Sequence, residues 1–344
     1  MTTVTVNASK QYDIKIGKGL LSTIGKEAAA LGKAKKVCIV SDSNVWPLYG
    51  ETVQESLNQA GFIVISYVFP AGEQSKNAQI WLELIHFLAA NQLTRTDLLV
   101  ALGGGVVGDL AGFAAATYLR GIRFLQIPTT LLAAVDSSVG GKTAIDLPAG
   151  KNLLGAFYQP SLVLCDIDTL DTLPHEIFRD GCAEVIKYGI LYDPELFSLL
   201  EEDGLDFHRE NVIARCVAWK RDVVMQDEFD TGARMKLNLG HTIGHGIEAR
   251  SHFSLSHGAS VAIGIAIVCR GSHCEDTPRI VACLEKFGLP TSVHYSVSEI
   301  LQYTLSDKKR AGDTIGLIIP SKIGDCHIVP TPVIALKTFI EEGM

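Results

Sequence analysis

Three histidines, His241, His245 and His257, are the residues of this chain whose spacing best suits metal chemistry. Residues at positions i and i+4 of a helix share one face, so His241 and His245 can approach the same ion, and His257 would join them from the next helix. A catalytic zinc ion takes three nitrogen or oxygen ligands and keeps one position open, so a carboxylate should complete the set. Glu184, in a helical stretch, is the predicted carboxylate. The predicted metal centre is therefore Glu184, His241 and His257.

The sequence around the two histidines excludes a metalloprotease motif, but it leaves open that they bind no metal. A metalloprotease helix carries a glutamate directly after the first histidine as its general base, whereas Thr242 follows His241 here. Two histidines at this spacing also occur as ordinary surface or core residues, because short motifs match by chance. The third histidine and the glycines around the pair favour a metal site.

Length and composition limit the class of protein. A chain of 344 residues can form two domains with separate cores. A formal net charge of −8 argues against nucleic acid or an anionic membrane as a partner. Eight cysteines without a Cys-x-x-Cys pair predict free thiols in a reducing compartment. We found no signal-peptide pattern at the start and no apolar run of membrane-spanning length, so the predicted location is cytoplasmic.

The first half of the chain alternates strand and helix patterns. Strands are predicted at 36–41, 62–69, 97–102 and 123–127, and helices at 45–60, 76–91 and 106–119. This alternation is typical of a parallel sheet with helices on both faces. Helical periodicity dominates from about 172 to 287, and strand-like residues return near 315–320. The predicted fold class is α/β, with a Rossmann-like nucleotide-binding domain at 1–168 and a mainly α-helical metal- and substrate-binding domain at 169–344.

A glycine-rich turn, Gly103-Gly-Gly105-Val-Val-Gly108-Asp109, follows an apolar strand and opens a helix. Glycines let the backbone approach a pyrophosphate, whose charge meets the helix N-terminus. A standard dinucleotide fingerprint has an acidic residue about 20 positions later, whereas the acid here comes earlier, at Asp42. From the glycines alone, a tight turn without a ligand remains an alternative.

Polar loops follow other predicted strands of the same domain. They cover 72–76, 128–130 and 136–142. Ligands of open α/β sheets bind beyond the carboxyl ends of the strands, where these loops would gather. The loops therefore favour a bound nucleotide over an empty turn.

Eight segments spread over the chain carry a family resemblance. They are Gly103 to Asp109, Tyr118-Leu-Arg120-Gly, Ile127-Pro-Thr129-Thr130-Leu-Leu, Val135-Asp136-Ser-Ser-Val-Gly-Gly-Lys142-Thr, Gly150-Lys151-Asn152, Gly155-Ala-Phe-Tyr-Gln-Pro160, Ala183-Glu184-Val-Ile-Lys187 and Leu237-Asn238-Leu-Gly-His241-Thr-Ile-Gly-His245. Together they resemble the 3-dehydroquinate synthase family of sugar phosphate cyclases, almost from end to end. The sequence departs mildly from the family at Ala134, where a polar residue is usual, and at 143–149, which replaces a commoner Gly-Val-Asn stretch.

The resemblance implies a homodimeric lyase that depends on NAD and on a divalent metal, zinc or cobalt. It implies the conversion of 3-deoxy-arabino-heptulosonate 7-phosphate into 3-dehydroquinate and phosphate, a step of the shikimate pathway. It also places Glu184, His241 and His257 at the metal. The residues that fall where the family contacts NAD are Asp42, Glu73, Lys76, Gly105, Val106, Val107, Gly108, Asp109, Thr129, Thr130, Lys142, Lys151, Thr169, Leu170, Asp171 and Thr172.

Cations near these motifs predict a substrate that carries both a carboxylate and a phosphate. The predicted catalytic and substrate-binding residues are Arg120, Asp136, Lys142, Asn152, Lys187, Lys220, Arg234, Asn238, His245 and Lys308. A single lysine is usually solvated, but a group of cations beside a metal motif in an acidic chain is better explained by bound anions. His245 is expected to relay a proton or support a ligand, because three ligands are already assigned. The resemblance suggests that Arg120 reaches a neighbouring subunit.

Three other functions would account for part of this pattern. A metal-dependent polyol dehydrogenase has little use for the anion-binding cations. Another sugar phosphate cyclase, such as a deoxyinosose or valiolone synthase, would differ mainly at the carboxylate end, where Arg234 and Asn238 favour an acid substrate. A nucleotide-binding regulatory module would not explain three histidines and a carboxylate beside a cofactor cleft. Fold alone does not separate these functions.

Overall fold

The computed structural model describes residues 1–252, 254–306 and 314–344. The chain forms two compact units. The first comprises Met1–Leu173 and Arg209–Phe229, and the second comprises Pro174–His208 and Asp230–Met344. The sequence predicted one boundary, after residue 168, whereas the structure returns the segment Arg209–Phe229 to the first unit. Helical periodicity reveals such a helix but not the partner it packs against, because the periodicity is a local signal.

A seven-stranded sheet forms the centre of the first unit. In chain order the strands of this unit are β1 (Thr2–Asn7), β2 (Gln11–Gly17), β3 (Lys36–Asp42), β4 (Ile63–Phe69), β5 (Leu98–Gly103), β6 (Arg123–Pro128), β7 (Lys142–Leu147), β8 (Gly150–Phe157) and β9 (Leu162–Asp166). The strand order in the sheet is β1-β2-β9-β6-β5-β3-β4, and β7 and β8 form a separate antiparallel hairpin. The edge strand β1 pairs antiparallel with β2, while the other neighbours run parallel.

Helices cover both faces of this sheet. They are α1 (Ile24–Ala30), α2 (Trp46–Gln59), α3 (Ala78–Ala90), α4 (Gly105–Thr117) and α7 (Arg209–Gln226). Successive side chains of a strand point to opposite faces, so β5 supplies Leu99 to the apolar core beneath α3 and α4, and Val100 to the core beneath α1 and α2. This arrangement confirms the predicted α/β architecture. The hairpin of β7 and β8 and the strands β2 and β9 were not predicted.

The second unit is mainly helical, as predicted. Its helices are α5 (His175–Tyr192), α6 (Pro194–Asp203), α8 (His241–Arg250), α9 (His257–Gly271), α10 (Thr277–Lys286), α11 (Val297–Ser306) and α12 (Val333–Gly343). The strand-like residues near 315–320 belong to an antiparallel hairpin of β10 (Thr314–Lys322) and β11 (Asp325–Pro332). Every residue of α9 from Ser260 to Cys269 is buried, which is typical of a helix at the centre of a bundle. Among the described residues, no helix combines the length and apolarity needed to span a bilayer.

Glycines bring α8 and α9 unusually close together. A Cβ atom added to Gly264 would lie 2.0 Å from the carbonyl oxygen of Gly240, and one added to Gly244 would lie 2.8 Å from the carbonyl oxygen of Ser260. These distances are too short for any real Cβ atom, so only glycine permits this approach. The contact fixes the start of α8, at His241, against the start of α9, at His257.

We expect Gly264→Ala to destabilise the second unit by about 1–3 kcal/mol, because overpacking against backbone outweighs the gain of about 1 kcal/mol in helix propensity. The free energy of unfolding from urea titration measures this effect. Gly316→Ala is the matched control, since its new Cβ would meet the flexible end of Met235 at 3.1 Å. Equal stability of the two variants would contradict the close-packing argument.

Candidate metal centre and nucleotide site

The three residues predicted to bind a metal converge in the second unit. Glu184, in the middle of α5, is buried, and its Oε1 atom lies 3.3 Å from Nε2 of His241 and 3.4 Å from Nε2 of His257. One ligand atom from each residue lies within 4.8 Å of the others. Residues 57 and 73 positions apart in the sequence are thus brought together at one point.

The orientation of His241 leaves its Nε2 atom for a ligand. His241 is the first residue of α8 and follows Gly240, whose left-handed φ of 76° turns the chain into the helix. Its Nδ1 lies 3.0 Å from the carbonyl oxygen of Leu239. The proton of the neutral ring therefore belongs on Nδ1, which donates to that oxygen, and the lone pair of Nε2 faces Glu184.

The two carboxylate oxygens of Glu184 indicate a site for a cation between Glu184, His241 and His257. Its Oε2 accepts a hydrogen bond from the Nζ group of Lys187, one turn further along α5. Its Oε1 is buried and accepts no hydrogen bond from any residue within the described ranges. A buried polar atom without a hydrogen bond calls for an explanation, and a divalent ion held by Glu184, His241 and His257 supplies one. The donor set of two imidazoles and one carboxylate fits such an ion.

The protonation states of the three residues follow from burial and neighbouring charge. Burial lowers the pKa of His241 to about 4, although Glu184 acts in the opposite direction. Burial also opposes charge on His257, but the neighbouring carboxylates of Glu184 and Glu248 outweigh it and raise the pKa of His257 to about 10. Burial would raise the pKa of Glu184, yet Lys187 and His241 hold that pKa well below its usual value. An ion bound here would therefore displace a proton from His257.

One face of α8 carries more than the two histidines. His241, His245 and Glu248 stand at positions i, i+4 and i+7, and the ring of His245 lies 5.3 Å from that of His241 and 5.9 Å from that of His257. Oε2 of Glu248, a buried residue, lies 3.4 Å from Nδ1 of His257. Glu248 was not among the predicted site residues, although its spacing of seven residues from His241 indicates the same helix face.

Three of the predicted cations are buried rather than solvated. Lys187 and Arg234 are 1% and 2% exposed in the second unit, and Lys220 is 5% exposed in the first. Arg234 lies in a 3-10 turn that leads to Asn238, whose side chain donates to the carbonyl oxygen of Met235. Buried charges need partners, and Lys187 pairs with Glu184 while Lys220 pairs with Asp136.

In the first unit, Lys76 lies at the centre of a cluster of acidic and amide side chains. Its Nζ atom lies 2.9 Å from Glu73 and 3.2 Å from Asp109, and it donates to Oδ1 of Asn152 at 2.8 Å. Asp146 stands 3.9 Å away. Burial opposes the charge of Lys76, but these carboxylates outweigh it and raise its pKa. Burial raises the pKa of Asp109 to about 6, against the influence of Lys76. Asn152, one of the predicted catalytic and substrate-binding residues, and Asp146, assigned no role, both join this cluster.

The glycine-rich turn lies between β5 and α4, at the carboxyl end of β5. A Cβ atom on Gly104 would lie 2.9 Å from the side chain of Thr130, and one on Gly108 would lie 2.8 Å from Gln126 of β6. The helix therefore packs directly on the sheet, and the backbone of 105–108, which includes Val106 and Val107, forms the first turn of α4. Thr129 is buried at the end of β6, and its Oγ1 has no hydrogen bond to the residues the structure describes.

Other predicted nucleotide contacts lie at neighbouring strand ends. Asp42 ends β3, and its Oδ1 accepts from the amides of Asn44 and Val45. The 3-10 turn Ile167–Asp171 contains Thr169 and Leu170 and is followed by Thr172. The hydroxyl of Tyr49 donates to the carbonyl oxygen of Thr169 and contacts the Thr172 hydroxyl, while Asp171 pairs with Arg209.

Asp136 and Lys220 form an ion pair within the first unit. Lys220, in α7, donates at 2.6 Å to both the carbonyl oxygen and Oδ1 of Asp136. Asp136 lies in a π-helical turn, Ala133–Ser137, a geometry often found at functional sites. This contact is one of those that join α7 to the first unit, where the helix also packs against β1 and β2. Lys142 begins β7, and Lys151 is the second residue of β8, with its Nζ 3.6 Å from Glu73.

Arg120 and Lys308 are the two remaining predicted site residues. Arg120 follows Leu119, and both adopt left-handed φ values of 66° and 52°. Such conformations are costly for residues other than glycine and are concentrated at functional sites. Lys308, with the neighbouring Lys309 and Arg310, lies outside the described residues.

Replacing Glu184 by Gln, or His241 or His257 by Ala, should weaken metal binding by more than the 10–100-fold typical of losing an outer partner, because one of three ligands is lost. His245→Ala should keep the metal. Elemental analysis after dialysis measures the metal content, with the exposed His294→Ala as control. Full metal content in His241→Ala would remove that residue from the ligand set.

Comparison with known proteins finds relatives that match nearly the whole chain. Residues 66–180 match the family model for the 3-dehydroquinate synthase N-terminal region, and residues 181–310 match the model for its C-terminal region. The 3-dehydroquinate synthase of Streptococcus suis is 44% identical over 98% of this chain and 99% of its own length. That of Pelobacter propionicus is 47% identical over 96% of both chains.

Solved structures of related enzymes share the fold. The 2-deoxy-scyllo-inosose synthase in complex with carbaglucose-6-phosphate, NAD+ and Co2+ is 26% identical, with a TM-score of 0.90 over 100% of both chains. The 2-epi-5-epi-valiolone synthase of Streptomyces hygroscopicus, with NAD+ and Zn2+, is 25% identical, with a TM-score of 0.86 over 98% of this chain and 99% of that one. An iron-containing alcohol dehydrogenase from Thermococcus thioreducens, 16% identical at a TM-score of 0.72 over 96% of this chain and 98% of that one, shares the fold alone. The two family models and the near-complete relatives show that the chain belongs to the 3-dehydroquinate synthase family.

Proposed function

We propose that this chain is an enzyme that converts 3-deoxy-D-arabino-heptulosonate 7-phosphate into 3-dehydroquinate and inorganic phosphate, a carbon–oxygen lyase reaction. The observation that carries the proposal is the cluster of Glu184, His241 and His257, in a chain that is 41–47% identical to 3-dehydroquinate synthases over nearly their whole length. Membership of the family indicates the heptulosonate phosphate as the substrate, and the cluster offers the metal ligands that the proposed reaction needs.

NAD and a divalent metal, zinc or cobalt, are the proposed cofactors, since solved structures with the same fold contain NAD+ with Co2+ or Zn2+. When bound, NAD takes up and returns a hydride, and the metal polarises the oxygen at the carbon that is oxidised. Glu184, His241 and His257 would hold the metal. The first turn of α4, Lys76 and the strand-end residues named above would hold NAD.

The proposed roles of the cations follow from their chemistry. In the second unit, the planar guanidinium of Arg234 suits a carboxylate, with Asn238 as a further donor. Lys187 keeps one oxygen of Glu184 occupied, so that the other faces the two histidines. His245, on the same face of α8 as His241, is placed to move a proton beside the metal.

In the first unit, Lys142, Lys151 and Asn152 are proposed to contact anionic groups of the ligands. Asp136 would orient Lys220, because it accepts from the Lys220 ammonium at 2.6 Å. Lysine binds phosphate as a compact charge with three donors, which suits contacts that change direction during a reaction.

The enzyme is further proposed to be a cytoplasmic homodimer. All eight cysteines are free and buried, as in proteins of a reducing compartment. The left-handed backbone at Leu119 and Arg120 presents a strained loop, which suits the proposed reach of Arg120 into a neighbouring subunit. The expected mass in solution, measured by light scattering, is twice that of one chain.

The proposed reaction leaves the cofactor unchanged after each turnover. With catalytic NAD, the enzyme should release phosphate from 3-deoxy-D-arabino-heptulosonate 7-phosphate far in excess of the cofactor supplied, without net NADH. A phosphate assay and the absorbance of NADH follow the two quantities together.

Two outcomes would replace this proposal. Sustained NADH from glycerol, with no phosphate release from the heptulosonate, would identify a polyol dehydrogenase. Phosphate release from a hexose 6-phosphate but not from the heptulosonate would identify a different sugar phosphate cyclase.

Lys151 offers a clean test of the proposed anion contacts, because its side chain is 32% exposed and should contribute little to stability. Lys151→Met should lower kcat/KM about tenfold or more, the loss of one charge-assisted contact, with an unchanged melting temperature. The exposed Lys33→Met is the control. Unaltered steady-state kinetics in Lys151→Met would exclude the contact.

A further inference from the structure

We propose that Glu248 is a positioning residue that orients His257 toward the metal. The inference rests on the proposed metal centre of Glu184, His241 and His257. It concerns a side chain that binds neither metal nor substrate itself and acts through the ring of a ligand.

The ring of His257 bridges two buried carboxylates. Its Nε2 lies 3.4 Å from Oε1 of Glu184, and its Nδ1 lies 3.4 Å from Oε2 of Glu248. The two nitrogens of an imidazole point in different directions, so one carboxylate cannot serve both. An Nδ1 proton donated to Glu248 leaves the lone pair of Nε2 directed at the metal position beside Glu184.

The two histidine ligands differ in how their rings are held. His241 donates from Nδ1 to the backbone carbonyl of Leu239 at 3.0 Å, and its side chain is 11% exposed. The side chain of His257 is 33% exposed, so packing restrains it less, and its Nδ1 faces a carboxylate instead of the backbone. The orientation of the His257 ring therefore depends more on its hydrogen-bonding partner. That partner is the side chain of Glu248, which can be replaced by mutation.

The position of Glu248 is built into the local fold. It lies seven residues after His241, so two turns of α8 place both on the face that meets α9. The other side of α8 is packed closely, since a Cβ atom on Gly246 would lie 2.2 Å from Oγ1 of Thr304. A buried glutamate is rare unless its charge is paired or hydrogen-bonded, and the ring of His257 is a hydrogen-bonding partner of Glu248.

Another arrangement of the same atoms has to be distinguished. His245, Glu248 and His257 also bring one ligand atom each within 4.8 Å, so Glu248 could itself bind an ion. The orientation of the His257 ring argues against an ion bound by Glu248. Its Nε2 faces Glu184, and a neutral ring that binds a metal through Nε2 carries its proton on Nδ1. The two arrangements differ in the number of ions bound per chain.

The test measures Zn2+ binding to the metal-free full-length chain by competition with a chromophoric chelator. Glu248→Ala should weaken Zn2+ binding 10–100-fold, the loss typical of an outer partner of a histidine ligand. Glu248→Gln should weaken it less, because the amide oxygen still accepts from Nδ1 but carries no charge. Arg250→Gln is the control on the same helix, since Arg250 pairs with Glu299 and should leave binding within twofold of the parent.

Cobalt provides a readout that a purely structural role would not change. In Co2+-loaded protein, Glu248→Ala should shift the visible absorption bands, because the ring of His257 turns relative to the ion. The melting temperature of the metal-free chain should change little in Glu248→Gln, so weaker binding would not reflect a weaker fold.

Three results would overturn the inference. Zinc affinity within twofold of the parent in both Glu248 variants would show that Glu248 does not act on the site. Two zinc ions per parent chain, with one lost in Glu248→Ala, would make Glu248 a ligand. A parent chain that binds no zinc or cobalt would overturn the metal centre itself, which is a separate failure from the first two.

Discussion

The second unit is arranged around one buried negative charge, the carboxylate of Glu184. A buried ion is stable only with partners of opposite charge or with hydrogen bonds, and its two oxygens are treated differently. Lys187 occupies Oε2 from the same helix, so Oε1 is directed at His241 and His257. The helices α5, α8 and α9 must therefore meet at this carboxylate, and the glycines that let α8 approach α9 follow from the same requirement.

Both units bury charge, but with opposite signs at the centre. In the first unit a buried lysine, Lys76, is surrounded by Glu73, Asp109 and Asp146. In the second unit a buried glutamate is surrounded by a lysine and two histidines. Removing one member of either cluster leaves an uncompensated charge, so loss of activity in such variants has to be separated from loss of stability. Partly exposed residues such as Lys151 allow that separation.

Local patterns in the sequence predicted the parts of the site that depend on one element. The α/β class and the helices that carry His241 and His257 were predicted, because helix spacing and strand alternation are short-range signals. The return of Arg209–Phe229 to the first unit was not predicted, since it depends on long-range packing of α7 against β1, β2 and the turn that holds Asp136. Glu248 was missed for a related reason. Its role depends on a ring nitrogen of His257 on another helix, and a buried glutamate looks like any other glutamate in a sequence.

The fold leaves the reaction open, because an alcohol dehydrogenase with 16% identity has the same architecture. Family membership narrows the choice, since 3-dehydroquinate synthases that are 44% and 47% identical match nearly the whole chain. The guanidinium of Arg234, in the 3-10 turn that also holds Asn238, suits a substrate with a carboxylate, which a neutral alcohol lacks. The metal cluster alone fits either chemistry. Arg234 therefore supports the anionic substrate that family membership gives, whereas a metal held by Glu184, His241 and His257 would serve an oxidation in either class of enzyme.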